Sequence, residues 1–497
     1  MDRKWWTLIA VCVAIFMLLL DITVVNVALP SIQRSLHSSF QDLQWVVDAY
    51  SLMLAALLLT GGALADLFGR RLLFTIGLVV FTASSAACGL SSTPLMLNLA
   101  RGVQGIGGAL MFATSLALLA QAFHGRERGV AFGVFGAVTG IAVAVGPLVG
   151  GLITSGIGWE WIFFVNLPIG VAAVALTLAR VHESRDPHAT GIDWAGLLTF
   201  SGALFLLVFA LVRGNDLGWG STEIVALLAG ACALLALFAL AELRQERPML
   251  DLSLFKRPAF AGASIVAFTL SASAFAMFLY LTLYIQQVLH YSPLQAGLRF
   301  LPNTLLMFAV APVAGRLSAH MPVRLLLGFG LLLVGAGLLA MTAVTPTSSW
   351  TALIPGFVIQ GAGVGLVNPA LASAAISVVP HNRSGMASGA NSTFRQVGIA
   401  TGIAGLGAVF QHDIARRAGL HGHTVTSGAI AGHVSRTAFV GAFDSILKIA
   451  ATVAFAGALA GFALVRQRDF VAPYPSPSEA APTGEAPATQ PARAGAS

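Results

Sequence analysis

The feature that most constrains this chain is a succession of apolar blocks, each roughly 18–25 residues long, separated by short segments holding charges, Pro and Gly. About 20 apolar residues cross the hydrocarbon layer of a bilayer as a helix. In lipid only helices and closed barrels satisfy every backbone group. Fourteen spans are predicted, at 6–29, 45–65, 72–91, 95–122, 129–152, 160–179, 194–212, 224–241, 259–288, 298–316, 324–344, 350–379, 385–410 and 438–465. Only 9% of the residues are charged, against about 25% in a soluble domain, so the fold class is all-α and integral to a membrane. The first block follows Met1-Asp2-Arg3-Lys4. It is read as a retained span, because it is too long for a signal sequence, contains Asp21 and has many successors.

An even number of spans puts both termini on one side. Loops on that side hold Arg3, Lys4, Arg70, Arg71, Arg126, Arg128, Arg180 and Arg185, then Arg244, Arg257, Arg316, Arg324 and Arg466, whereas the other side holds Arg34, Arg213, Arg299, Arg416, Arg417 and Arg436. The positive-inside rule then makes both termini cytoplasmic, in the cell membrane. The net charge of +7 is dispersed over these loops, which suits orientation in a lipid bilayer and not nucleic acid. Cys12, Cys88 and Cys232 fall inside spans without metal-ligand spacing and are expected to be buried. No metal site is expected. The segment 411–437, with His412, His421, His423 and His433 at irregular spacing, is expected to be a solvated external loop. The chain lacks a phosphate-binding glycine loop, a His-Glu-x-x-His and a Gly-x-Ser-x-Gly. No enzyme and no cofactor are expected, and any energy source is an ion gradient or the substrate's own.

The sequence also repeats. Gly62-Ala63-Leu64-Ala65 is echoed by Gly315-Arg316-Leu317-Ser318, Gln104-Gly105-Ile106-Gly107 by Gln360-Gly361-Ala362-Gly363, and Arg128-Gly129 by the stretch around Gly385, at offsets of 253, 256 and 256 residues. Two parallel six-helix halves, with a substrate site between them, are one of the main transporter designs. The predicted organisation is a first half at 5–180, an inserted two-helix hairpin at 193–242, a second half at 258–466 and a disordered, Pro- and Ala-rich cytoplasmic tail at 467–497. The hairpin carries no charge inside its helices and is assigned a packing or lipid-facing role.

Charges within spans are functional candidates by default. Asp21, Asp48 and Arg101 are expected at similar depth in the outer half of spans one, two and four, where two carboxylates and one guanidinium can meet. Such a group can load and release a proton as its surroundings open, or it can be a static pair. Arg395 lies mid-span, either lining a cavity or paired structurally, while Asp444 and Lys448 are placed to neutralise each other at i, i+4. In span five, Gly136-x-x-x-Gly140 and Gly146-Pro147-Leu148-Val149-Gly150-Gly151 combine small residues for close helix approach with a proline that removes a backbone hydrogen bond. A kinked contact that seals or rocks is expected there. Asp66, in the tight turn Asp66-Leu67-Phe68-Gly69-Arg70-Arg71, is expected to accept hydrogen bonds from a neighbouring helix N-terminus and latch the cytoplasmic side.

Taken together these motifs resemble a known family. Gly62 to Arg71 resembles the loop signature of the major facilitator superfamily, Leu99-Ala100-Arg101-Gly102-Val103-Gln104-Gly105 its fourth-helix motif, and Gly146 to Gly151 its antiporter motif. Leu20 to Pro30 and Trp159 to Pro168 resemble segments of its 14-span drug:proton antiporters. The resemblance implies export of hydrophobic or cationic small molecules in exchange for protons, by alternating access of the two halves. It assigns proton coupling or substrate contact to Asp21, Asp48 and Arg101, a conformational latch to Asp66, Gly69 and Arg70, and the antiporter kink to Gly146, Pro147, Gly150 and Gly151. Leu67, where a basic residue is usual, and Glu160, where arginine is usual, depart from the pattern, and Ala319 takes the place of Asp66 in the second half. Two alternatives remain: an exporter of one endogenous metabolite or antibiotic, and a membrane sensor on the same fold without transport.

Overall fold

In a computed structural model the chain is helical, and the structure describes residues 2–123, 125–185, 193–245, 250–318, 320–378, 384–417 and 435–466, together with Gly191 and Pro248. Among the described residues 13 helices are long and apolar enough to cross a membrane. The spans are α1 (Arg3–Leu36), α2 (Phe40–Phe68), α3 (Arg70–Gly89), α4 (Pro94–Ala122), α5 (Gly125–Gly156), α6 (Trp161–Arg180), α7 (Trp194–Leu217), α8 (Thr222–Arg244), α9 (Pro258–Val288), α10 (Pro293–Leu317), α11 (Val323–Ala343), α12 (Ile354–Ser377), α13 (Ser384–Arg417) and α14 (Arg436–Leu464). The helix outside the 13 is α13. At 34 residues it is long enough, but Arg395, Gln396 and a run of glycines and hydroxyls dilute its apolar character.

Three spans are less regular than periodicity suggests. α6 breaks after Phe164 and restarts at Asn166, α10 breaks between Arg299 and Leu301, and α9 contains wide π turns at Ser271–Phe275 and Tyr284–Val288. α13 continues to Arg417, so His412 lies on a helix and not in a loop, and Asp413 pairs with Arg416 there at 3.3 Å. His421, His423, His433, Ala319 and the tail 467–497 lie outside the described residues. Lys448 and Asp444 pair at 2.7 Å as their spacing predicts.

The repeated glycines make the same close approach in each half. A methyl group at Gly105 would lie 2.5 Å from the Tyr50 carbonyl oxygen, so α4 packs backbone to backbone on α2. At Gly361 it would collide with the Asn303 carbonyl, the matching contact of α12 on α10. Gly107 approaches α3 at Phe81, and Gly363 approaches α11 at Gly330. The inserted hairpin divides the roles expected of it. α7 packs Leu204, Val208 and Val212 with Leu52 and Ala55 of α2 and with Ala400 and Ala404 of α13. α8 lies outside α7 and exposes Val225, Leu235, Leu237, Leu240 and Leu243. Cys12 and Cys88 are buried as expected, but Cys232 is exposed on α8.

The halves meet most tightly at the face opposite the N-terminus. Among the described residues four hydrogen bonds cross between them: Gln286 Nε2 to the Val27 carbonyl (2.7 Å), Gln287 Nε2 to Gln33 Oε1 (2.6 Å), the Leu294 amide to Ser155 Oγ (2.9 Å) and Gln44 Nε2 to the Ile403 carbonyl (3.2 Å). All but Ile403, near the middle of α13, lie toward the far ends of their helices. Toward the N-terminal face α5 and α10 part. A methyl group at Gly133, Gly136 or Gly315 would meet nothing within 4 Å, and Val134 and Val313 are exposed. α2 and α13 stay in contact further along, at Leu59 and Gly389.

Candidate functional site

Buried between α1, α2, α3, α4 and α6 is a polar cluster in otherwise apolar surroundings. The side chains of Asp21 and Arg101 are 0% and 1% exposed and form an ion pair at 2.5 Å. Arg101 Nη1 donates to Asp21 Oδ2 and, at 2.7 Å, to Gln104 Oε1, while its Nε donates to the Val46 carbonyl at 3.0 Å. Asp21 Oδ1 accepts from Gln104 Nε2 (3.0 Å) and Asn166 Nδ2 (3.2 Å). Asn166 also donates to Ser85 Oγ at 3.0 Å, which donates to the Phe163 carbonyl at 2.9 Å. The Cys88 thiol reaches Gln104 Oε1 at 3.6 Å, and the guanidinium stands 4.3 Å from the Tyr50 ring centroid.

Taking one ion from water to such a site costs several kcal/mol. Here the pair, two amides and a backbone carbonyl offset that cost, and the arrangement is complete only when all five helices are in place. Arg101 is anchored to backbone through Val46, so it is the fixed member. Asp21 is held entirely by side chains, so small helix movements can loosen it.

Asp48 does not join this cluster. Residues two apart on a helix point to nearly opposite sides. Val46 and Tyr50 turn toward Arg101, so Asp48 turns away with Gln44, which bonds the Ile403 carbonyl of α13. Asp48 is 0% exposed, and among the described residues neither of its oxygens has a hydrogen-bond partner. Tyr280 donates to the same Ile403 carbonyl at 2.6 Å. The two acids thus occupy different environments, one saturated within the first half and one bare where the halves meet.

Arg395 is partly buried at mid-helix in α13, with its Cζ 5.6 Å from the Phe275 ring centroid. Among the described residues no carboxylate lies within 4.0 Å of it, so of the two expectations the structural ion pair is absent.

The turn between α2 and α3 differs from expectation in one respect. Asp66 Oδ1 accepts both Nε (3.0 Å) and Nη2 (2.8 Å) of Arg70. The cap on the neighbouring helix comes instead from Glu183, whose oxygens accept the Arg71 and Leu72 amides at 3.0 Å each. The Arg70 amide donates to the Ser184 carbonyl at 2.9 Å. Gly69 has φ +121, and a methyl group there would lie 2.6 Å from Glu183 Oε1. These bonds tie α2, α3 and the end of α6 together within the first half.

α5 carries the antiporter-like segment between the halves. A methyl at Gly146 would overlap Thr23, and one at Gly150 would sit 2.9 Å from the Val24 carbonyl, both on α1 and beside Asp21. One at Gly151 would sit 2.5 Å from the Pro293 carbonyl of α10, and Gly297 of α10 approaches the Pro147 carbonyl. The helix runs on through Pro147. α5 therefore touches the acid-bearing helix and the second half with one glycine-rich stretch.

Several members of the site carry no charge in the sequence and were not expected. Gln104 lies one turn from Arg101 and Asn166 lies in the Trp159 to Pro168 segment, so both stood within recognisable motifs. Glu183 carried no such signal.

A bundle of this kind, with two repeated halves and buried charges near their interface, is the architecture of a multi-span transporter. The family profile of the Major Facilitator Superfamily matches residues 11–403, and the chain belongs to that superfamily of membrane transporters. It is 39% identical over 404 residues to the multidrug resistance protein Stp of Mycobacterium tuberculosis (strain CDC 1551 / Oshkosh), covering 81% of this chain and 75% of that one. It is 36% identical over 446 residues to the puromycin resistance protein pur8 of Streptomyces alboniger, covering 88% of each. The tetracenomycin C resistance and export protein of Streptomyces glaucescens is 35% identical over 408 residues, covering 82% and 76%. Among solved structures, a bacterial homolog of the human lysosomal transporter Spinster, inward-facing and occupied, matches with a TM-score of 0.62 at 17% identity over 94% of this chain and 98% of that one. A POT family transporter in complex with a thioalcohol-conjugated peptide matches with a TM-score of 0.65 at 14% identity, over 91% and 94%.

Proposed function

We propose that this transporter is a proton-coupled antiporter that exports hydrophobic or cationic drugs and xenobiotics across the cell membrane by alternating access of its halves. The observation that carries the reading is the buried Asp21–Arg101 pair with its amide partners, packed against the glycine face of α5. A static scaffold has no need of a desolvated ion pair. The names of its relatives, resistance proteins for multiple drugs, puromycin and tetracenomycin C, support the direction and the class of cargo.

In this reading the N-terminal face is cytoplasmic, which the arginine distribution supports, so the seal between the halves lies outside and the parting of α5 and α10 inside. Asp21 is then the proton carrier. Arg101 stays on the α2 backbone while movement of α5 against Thr23 and Val24 loosens Asp21 and admits a proton. Protonation cancels the attraction to Arg101 and favours the rearranged state, and the Arg101 charge drives release on the other side. Asp48, without a counter-charge among the described residues at the interface of the halves, enters the closed state either protonated or against a cationic group of the cargo. Asp66, Gly69, Arg70 and Glu183 hold the α2–α3 turn as one rigid piece. The energy source is the proton gradient, and the partners are small molecules, protons and the bilayer.

The tetracenomycin C relative favours one second reading, export of a single endogenous metabolite or antibiotic. Everted vesicles separate the two and test the first. Ethidium and unrelated cationic dyes added to vesicles holding a preset pH gradient are expected to dissipate it only when the transporter is present. Response to a single metabolite alone would select the second reading, and no response to any compound would refute transport coupled to protons.

A further inference from the structure

We propose that the second half holds a binding site for an acidic oxygen, a carboxylate or phenolate, carried on an aromatic ring, with Arg395 as its counter-charge and Phe275 beside the ring. The proposal deepens the reading of the chain as an exporter of small molecules and rests on it.

On α13, Gly398 and Gly402 lie against α9, where a methyl group would meet the Phe268 carbonyl, Ser271 and Ala272. Val397, Ala400 and Ala404 pack toward α2 and α7. Arg395, three residues before Gly398 and seven before Gly402, lies on the side of α13 that meets α9 and nearly opposite the strip that meets α2 and α7. The side chain is partly buried there, against the second half's own α9.

Opposite Arg395, α9 widens into the π turn Ser271–Phe275. Such turns are uncommon and recur at functional sites. The turn presents Phe275 to the guanidinium at 5.6 Å, near the limit of a cation–π contact. At its other end Ser271 is fully buried, and its hydroxyl has no hydrogen-bond partner among the described residues.

Arg101 has a carboxylate, an amide and a backbone carbonyl, whereas Arg395 has an aromatic ring and, among the described residues, no carboxylate within 4.0 Å. A guanidinium is always charged, and its planar fork matches a carboxylate or other anionic oxygen. A cationic cargo group would leave it bare, and a neutral one would leave its charge uncompensated. An aromatic acid satisfies the fork and places its ring along Phe275. Among the described residues Asp48 of α2 and Arg395 of α13 then stand as one charge of each sign without an ionic partner, which suits aromatic acids and amphoteric aromatic compounds besides cations.

Binding of 2-naphthoate and of neutral 2-naphthamide to the full-length protein in nanodiscs, measured by equilibrium dialysis without any gradient, tests the site. The parent is expected to bind the anion about ten-fold or more tightly than the amide, the scale of one charge-assisted hydrogen-bonded contact. Arg395→Gln is expected to abolish that preference by lowering the affinity for the anion to about that for the amide, and a monodisperse size-exclusion profile of the variant shows that it is folded. Arg395→Lys, which keeps the charge without the fork, is expected to retain part of it. Equal binding of anion and amide by the parent, or a preference that survives Arg395→Gln, would overturn the site. Because no gradient is involved, this result is independent of whether cationic dyes drive proton flux.

Discussion

Replacing Arg101 with methionine removes the guanidinium and leaves the Asp21 carboxylate buried with only the two amides of Gln104 and Asn166. Replacing Asp21 with asparagine does the converse, leaving a buried cation with Gln104 and the Val46 carbonyl. Breaking a buried pair from one side costs about 3–5 kcal/mol, whereas removing both charges with shape preserved is often close to neutral. Both side chains are at most 1% exposed, so solvent cannot take over the abandoned charge and the upper part of that range applies. We predict that Arg101→Met and Asp21→Asn each destabilise the protein by about 3–5 kcal/mol, and that the double variant recovers to within roughly 1.5 kcal/mol of the parent. Reversible unfolding in mixed detergent micelles measures the three differences. Export in vesicles is then read on the double variant, which is predicted to be folded and inactive. Additive single effects, or a double variant that exports normally, would refute the claim that the pair is both an energetic unit and the functional centre.

Asp48→Asn should leave stability unchanged or raise it, because among the described residues the carboxylate has no partner to lose, and should reduce export of cationic dyes in the same vesicles. Gly69→Ala is predicted to cost more than 1 kcal/mol in the unfolding assay, since φ +121 and the seat of Glu183 both exclude a side chain. Glu183→Gln should cost about 1 kcal/mol through loss of the charged cap. In a protein lacking its three cysteines, Gln33→Cys with Gln287→Cys, bridged where the side chains now bond at 2.6 Å by a short bis-methanethiosulfonate that forms a disulfide to each cysteine and releases methanesulfinate, is expected to stop export until the bridge is reduced.

The spans were legible because lipid leaves an apolar stretch no alternative to a helix. α13 marks the limit of that signal, its hydropathy diluted by Arg395 and Gln396, and the breaks in α6, α9 and α10 are backbone events that composition does not register. Within the site, depth alone brought Asp21 and Arg101 together correctly, because their helices run antiparallel through one layer. The same reasoning misplaced Asp48, which shares the depth but not the helical face. The phase of Val46 and Tyr50 against Gln44 and Asp48 was available in the sequence, yet nothing there said which face met Arg101. Glu183 reaches Arg71 across 112 residues, and its helix-capping role was assigned to the nearer Asp66. The glycines of α5 were read as a seal, and the structure supplies the partners, Thr23, Val24 and Pro293.

The central claim is that Asp21 changes its protonation during transport. Reconstituted Asp21→Asn protein, loaded with ethidium and assayed for exchange against external ethidium, should still exchange down a concentration gradient, because the cargo path is intact. Its flux should be the same with and without an imposed pH gradient, whereas the parent's should rise when the gradient is applied. If the flux of Asp21→Asn follows the pH gradient as the parent's does, Asp21 is not the proton carrier and the account fails.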